Sequence, residues 1–211
     1  MHYNSLIRLA AGTAAAFAFS VVTLGSATPA EADVIITTQG SLAPPREEVQ
    51  FNDGLDSTGN PIRGMTNDTG TIVRFTSNTP AETLTAQANG QARITGDMGL
   101  RSLTIELENG FNLDGLSFNL DAVADGTVEF TIDLLDEDDV VRSFDLDRNG
   151  VNRFVFTAIN GEEIESVTLN ANVNLSDIQQ VRLSLVAVPE PAAFAALGLV
   201  GGLLLLRRRR A

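Results

Sequence analysis

The stretch of sequence that decides the fold is Thr127-Val128-Glu129-Phe130-Thr131-Ile132-Asp133-Leu134. Polar and apolar residues alternate through its whole length. Successive side chains of a β-strand point to opposite faces of the sheet, so this period-2 pattern predicts a strand with one face in a core and the other in water. The stretch is therefore typical of the half-buried strands of an antiparallel sheet.

The same alternation recurs on both sides of this stretch. It is found at residues 103–107, 116–120, 167–173 and 180–185, and two shorter strands are predicted at 34–38 and 48–51. The breaks between runs carry pairs that suit tight hairpins, namely Asn89-Gly90, Asn109-Gly110, Asp114-Gly115, Asp125-Gly126, Asn149-Gly150 and Asn160-Gly161. Residues 33–187 are thus predicted to form one all-β domain, an antiparallel β-sandwich of jelly-roll-like type with about nine or ten strands.

The N-terminal segment, residues 1–32, has the three parts of a secretory signal peptide. Arg8 supplies the positive charge, residues 9–24 are apolar, and Ala30-Glu31-Ala32 offers small residues before a cut. Gly25-Ser26-Ala27 is an alternative cut site. This organisation predicts that the domain is exported, with Asp33 as its first mature residue.

The C-terminal segment, residues 188–211, also has three parts. Val188-Pro189-Glu190-Pro191 is followed by the apolar run 192–206 and then by Arg207-Arg208-Arg209-Arg210. As a helix the apolar run would span about 22 Å, less than the roughly 30 Å core of a bilayer, so it is a poor permanent anchor. The arginines are costly to move across a membrane, and we expect them to remain on the cytoplasmic side as a stop-transfer signal.

This order of motif, apolar run and arginine cluster resembles the PEP-CTERM sorting signal of Gram-negative bacteria. Exosortase-type membrane proteases are the partners that the resemblance implies. It further implies that the tail holds the protein transiently in the inner membrane, until a cut near the motif releases the domain to the cell surface or extracellular matrix. The resemblance covers about the last tenth of the chain, and an ordinary C-terminal membrane anchor is the alternative.

The composition of the domain excludes several classes of function. Between Asp33 and Val188 there are 25 acidic residues and 9 arginines, so the net charge is 9 minus 25, or −16. Such a domain repels phosphate, and we expect no nucleic-acid partner. The chain has no Cys, Lys or Trp, and its single His and single Tyr are His2 and Tyr3 in the predicted signal peptide. Ser-His-Asp and Cys-His catalysis, zinc sites built on His or Cys, and Schiff-base chemistry are therefore excluded for the exported domain.

Two acidic stretches are candidates for calcium, the one cofactor that the sequence suggests. In Asp145-Leu146-Asp147-Arg148-Asn149-Gly150, the oxygens of Asp145, Asp147 and Asn149 could converge on a hard cation. An EF-hand would need Glu at the twelfth position, where Phe156 stands, so a different calcium turn or a plain hairpin turn is left. Asp136-Glu137-Asp138-Asp139 is either a second calcium site or the solvated tip of a hairpin.

Sugar chemistry gives the remaining alternatives. A glycosidase needs an acid and a base across a cleft, but most carboxylates here fall on outward strand positions or turns. A carbohydrate-binding module usually stacks sugars on Trp or Tyr, which the domain lacks, and we expect Phe130, Phe154 and Phe156 to pack in the core. The sequence therefore favours a non-enzymatic surface or matrix protein associated with extracellular polysaccharide. A calcium-assisted carbohydrate-binding module is the first alternative, and a glycoside-acting enzyme the second.

Overall fold

A computed structural model of the chain describes residues 34–38, 40–41, 43, 46–51, 55–87, 93–108, 111–135 and 138–187. Every regular element within these ranges is a β-strand, and every pairing between strands is antiparallel. The all-β, antiparallel prediction is confirmed. Within the same ranges, no helix is long and apolar enough to cross a membrane.

The predicted targeting segments lie outside the described residues. These are the signal peptide with its cut site at Ala30 and Ala32, and the sorting signal with Val188, Pro189, Glu190, Pro191, Arg207, Arg208, Arg209 and Arg210. They stay predictions from the sequence.

The described residues form thirteen strands, more than the nine or ten expected. Several short strands lie between residues 58 and 96, where the sequence shows little alternation. The strands are β1 (Val34–Thr37), β2 (Glu47–Gln50), β3 (Thr58–Gly59), β4 (Ile62–Thr66), β5 (Ile72–Thr76), β6 (Leu84–Gln87), β7 (Arg93–Gly96), β8 (Leu100–Leu107), β9 (Phe111–Ala122), β10 (Gly126–Leu134), β11 (Val140–Leu146), β12 (Asn152–Ala158) and β13 (Ile164–Ala187).

The last strand organises the sheet. The two alternating runs at 167–173 and 180–185 were expected to be separate strands, but both belong to β13, which is 24 residues long. Its first half pairs with β10 and β8, and its second half pairs with β9, β7 and β2, while Ile164 at its start also stands opposite Leu113 of β9. The register shifts near the middle of the strand and again after Gln179, beside Gln180 with φ 55°. Such bulges bend a strand, so one segment can serve two sets of partners.

A cluster of phenylalanines packs β10 against β9 and β12, with neither of which β10 pairs. Phe130 of β10 lies 4.8 Å from Phe154 and 5.0 Å from Phe156, both in β12, measured between ring centroids. Phe118 of β9 is 5.5 Å from Phe156. All four rings are almost fully buried and share one core with the inward-facing aliphatic residues. The assignment of Phe130, Phe154 and Phe156 to core packing is confirmed.

Most of the residue pairs predicted to form tight hairpins do not connect strands that pair with each other. Asp114-Gly115 lies inside β9, where Gly115 pairs with both Thr157 and Ser184. Asp125-Gly126, Asn149-Gly150 and Asn160-Gly161 connect consecutive strands that have no pairing with each other among the described residues. The expectation of hairpins at these places was wrong, because a Gly-containing pair provides the turn but does not decide which strand comes next to which. Asn89-Gly90 lies outside the described residues, but β6 and β7 on either side of it do pair.

Two polar residues expected in water are buried. Ser117 is 1% exposed and Ser184 is 8% exposed, although both alternate with core residues. Ser117 lies in β9 between Val155 of β12 and Arg182 of β13, which stand directly opposite it. A strand with neighbours on both sides has its outer face covered by their side chains, which the local pattern cannot reveal.

Both ends of the described domain leave from the same end of the sheet. Ala187 pairs with Phe111 at the start of β9. Val34 pairs with Ala158, and the residue before Ala158 pairs with Gly115, also near the start of β9. The other end of β9 lies about 35 Å away, at roughly 3.4 Å per residue. We call the end that holds Val34 and Ala187 the exit end.

A polar cluster fixes the turn between β4 and β5. The Glu47 carboxylate accepts hydrogen bonds from the Thr69 N–H at 2.8 Å and the Thr69 hydroxyl at 2.9 Å. Burial by itself raises the pKa of Glu47, but donation from Thr69, the Thr66 hydroxyl and the Asp68 N–H outweighs it and lowers the pKa below 4.5. The charged form of Glu47 therefore stabilises this turn.

Glu47→Gln is expected to remove an acid-sensitive part of the stability. A carboxyl whose pKa is lower in the folded state contributes stability above the unfolded pKa, and this is lost as the pH falls through the folded pKa. At pH 7 the variant should lose roughly 1 to 2 kcal/mol in urea unfolding. The difference from wild type should shrink as the pH falls to about 4.5 and below. Thr69→Val, which removes one donor, should shift the same dependence in part, and a difference that stays constant with pH would refute this role of Glu47.

Candidate functional sites on the acidic loops

The first calcium candidate lies on the connection between β11 and β12. Asp145 is exposed at the end of β11, opposite Thr127 of β10. The Asp147 carboxylate accepts a hydrogen bond from the Asn149 N–H at 2.8 Å. Buried Asn152 closes the loop, since its amide donates to the Asp147 carbonyl at 2.8 Å and its oxygen accepts from the Asp147 N–H at 2.9 Å. The structure thus places Asp145, Asp147 and Asn149 on one short segment, where Asp147 already accepts a hydrogen bond within the turn.

A third acidic residue, Asp125, meets this loop. The Arg148 N–H donates to the Asp125 carboxylate at 2.9 Å, so the connection between β9 and β10 contacts the connection between β11 and β12. The sequence indicated Asp125 only as a turn residue. Its place beside Arg148 depends on the crossing of two loops that are more than twenty residues apart, and no local signal predicts that.

The second calcium candidate joins β10 to β11, which pair as expected for a hairpin. Asp136 and Glu137 lie outside the described residues, and Asp138 and Asp139 are exposed. The structure adds Asp133, whose pKa is raised above 3.8 by burial first, then by the charge of Asp139 and a hydrogen bond to it, against a smaller opposing effect of Ser166. Two carboxyls in contact favour sharing a proton or a cation. Among the described residues, however, no group of three or more His, Cys, Asp or Glu is placed to hold a metal ion.

Two further carboxylates are buried, and no sequence pattern indicates either of them. Asp177 is 5% exposed and is bound by Arg93 Nε at 3.2 Å and by the Gln179 amide at 2.6 Å, so its charge is balanced. Glu82 is 2% exposed, and one of its oxygens accepts a hydrogen bond from the Ser77 hydroxyl. The other oxygen packs against Gly96 and has no hydrogen-bond partner among the described residues. A side chain at position 96 would overlap this carboxylate, which explains the glycine.

Comparison of the chain with protein-family models, with curated proteins and with solved structures finds no match.

Asp147 distinguishes a self-contained turn from a calcium site. We expect Asp147→Ala to destabilise the protein by about 1 kcal/mol in urea unfolding, because the hydrogen bond from Asn149 is lost. Asp147→Asn should be close to wild type, because the amide oxygen can accept the same bond. Both results should be the same in millimolar calcium and in chelator. A thermal midpoint that rises with calcium in wild type but not in Asp147→Asn would contradict the self-contained turn and assign calcium to this loop.

Proposed function

We propose that the chain is an exported, non-enzymatic surface or extracellular-matrix protein, sorted and cleaved through its C-terminal signal. The observation that carries the proposal is the order of parts in residues 188–211, which resembles the PEP-CTERM signal recognised by exosortase-type proteases. The signal peptide at residues 1–32 gives the matching N-terminal part. Together they predict a domain that crosses the inner membrane, is held there transiently and is then released.

The arrangement of strands supports this proposal. Val34 and Ala187 leave from the exit end of the sheet, so the two flanking segments could reach one membrane surface together without a long linker. We interpret the strands as an antiparallel β-sandwich of jelly-roll-like type, because β10 faces β12 and β9 across the phenylalanine cluster without pairing to either. This class of fold supports binding and structural roles as readily as catalysis, so the fold by itself does not choose between them.

The composition supports a non-enzymatic role. A domain without His, Cys, Lys, Tyr or Trp keeps only carboxylates as reactive groups in quantity. Of the three buried carboxylates described above, Glu47 accepts hydrogen bonds from Thr69, Asp177 is balanced by Arg93, and Glu82 contacts Ser77. None of them forms the pair of facing carboxyls that glycoside hydrolysis requires.

A calcium-assisted carbohydrate-binding module is the second candidate. The observation that favours it is the contact of Asp133 with Asp139 beside the acidic hairpin, because a divalent cation would relieve the repulsion between these groups. Calcium-dependent retention on a polysaccharide would support this candidate.

The sorting proposal predicts a change of mass. When the chain is expressed with an exosortase-type protease, we expect intact-mass spectrometry to show a product that ends near Val188 and lacks the arginine cluster. Without the protease the tail should be intact. A variant with Pro189→Ala and Glu190→Ala is the matched control, since it keeps the apolar run and the arginines and should remain uncleaved. An intact tail in the presence of the protease would leave only the membrane-anchor alternative.

A further inference from the structure

One outer face of the sheet carries a continuous row of threonines. Thr76 of β5 stands opposite Thr104 of β8, Thr104 opposite Thr168 of β13, and Thr168 opposite Thr131 of β10. Residues directly opposite each other share a face of the sheet, so these four side chains lie in one line across four strands. The residues on either side of each threonine in its strand are buried, including Ser77, which follows the end of β5. The Thr76 hydroxyl oxygen is itself buried, so the part of the line that a ligand can reach begins at Thr104. We call this line the threonine row.

The row extends to a fifth strand and has a polar neighbour. Val141 of β11 stands opposite Thr131 and is 47% exposed. Adjacent strands are about 4.8 Å apart, so the line from Thr104 to Val141 is roughly 14 Å long. Two positions further along the strands, Ser102 and Asn170 face each other in the same way. The result is a band of hydroxyls, amides and methyl groups, with the carboxylate of Glu129 at its margin opposite Asn170.

Hydrogen bonds within this band hold its side chains in place. The Thr104 and Thr168 hydroxyls are 2.8 Å apart, and the Ser102 hydroxyl donates to the Asn170 oxygen at 2.6 Å. The Asn78 amide donates to both the Ser102 and the Thr104 hydroxyls, at 3.2 and 3.1 Å. A hydroxyl has one hydrogen and two lone pairs, so the acceptor in the Thr104–Thr168 pair keeps its hydrogen, and the band can accept and donate further hydrogen bonds. Side chains positioned in advance lose little conformational freedom when a ligand binds.

The charges around the threonine row decide what kind of ligand fits. On one side, Glu106 is paired with Arg74 at 3.2 Å, and Asp133 lies beyond Ser166. On the other side, Glu129 of β10 stands directly opposite Asn170 and is exposed. A phosphorylated, sulfated or uronic-acid polymer would meet these carboxylates and be repelled. A neutral polymer of hydroxyl groups meets donors and acceptors along the band and methyl groups between them.

We propose that the threonine row binds a neutral polysaccharide chain laid across the strands from β8 to β11. The inference rests on the proposed function, because an exported matrix protein is one that encounters extracellular polysaccharide. It adds to that function a specific binding surface. It differs from a calcium-bridged module in needing no cation, and from aromatic sugar platforms in using hydroxyls, amides and methyls.

The test is affinity electrophoresis of the full chain in detergent through gels that contain either dextran or alginate, each with chelator. Dextran is the neutral probe, and alginate is the anionic one. We expect dextran to retard the wild type and alginate to leave its mobility unchanged. Thr131→Glu with Thr168→Glu should weaken the apparent affinity for dextran about tenfold, as expected for the loss of a few hydrogen bonds.

Matched controls separate binding from folding. Thr85→Glu changes an exposed strand threonine of β6, outside the row, and should bind like wild type. Thr131→Ser with Thr168→Ser keeps the hydroxyls and should retain most of the affinity even if the glutamate variant unfolds. Free passage of the wild type through dextran, retardation in alginate alone, or equal binding by the Thr85 and row glutamate variants would each overturn the inference. The sorting proposal is read separately from the mass of the chain, so either can fail without the other.

Discussion

The structure depends on the pairing of β13 with five other strands. No other segment contacts both β10 and β9 through backbone hydrogen bonds within the described residues. Its two halves are separated by register shifts, and the residue with positive φ at Gln180 lies at the second of them. Bulges of this kind let one segment change partners while its apolar residues remain directed to the core. The phenylalanine cluster then fills the space between strands that β13 holds at a distance from one another.

The strands could be predicted from the sequence better than their arrangement. Alternation located residues 127–134 correctly, because a strand with one buried face has alternating apolar and polar residues along the chain. The union of 167–173 with 180–185 was not predictable in this way, since a bulge changes the phase of the pattern and makes one strand resemble two. Hairpin signals at Asp125-Gly126 and Asn160-Gly161 gave turns without pairing. Strand pairing is decided by contacts between residues far apart along the chain, and the residues of a turn do not predict those contacts.

For the candidate sites too, the sequence predicted what depends on neighbouring residues and missed what depends on contacts between distant segments. The sequence grouped Asp145, Asp147 and Asn149 because they are neighbours along the chain. In the structure Asp145 lies near the end of β11, and the other two residues lie on the connection to β12. The sequence missed Asp125 beside Arg148 and the contact of Asp133 with Asp139, because each needs two segments to meet. Glu82 was missed for a further reason: nothing in its neighbourhood along the chain distinguishes a buried carboxylate from a solvated one. The threonine row is likewise visible only once the registers of five strands are known.

Native-state hydrogen exchange along β13 most directly tests whether this strand joins its partners into one cooperative unit. If this strand joins all its partners into one cooperative unit, its amides at 164–170 and at 178–185 should exchange with the same opening free energy, equal to that of global unfolding. The shared value should be found in β9 and β10 as well. Exchange of one half of β13 at a clearly lower free energy than the other would contradict the account, because the two sets of strands would then unfold independently.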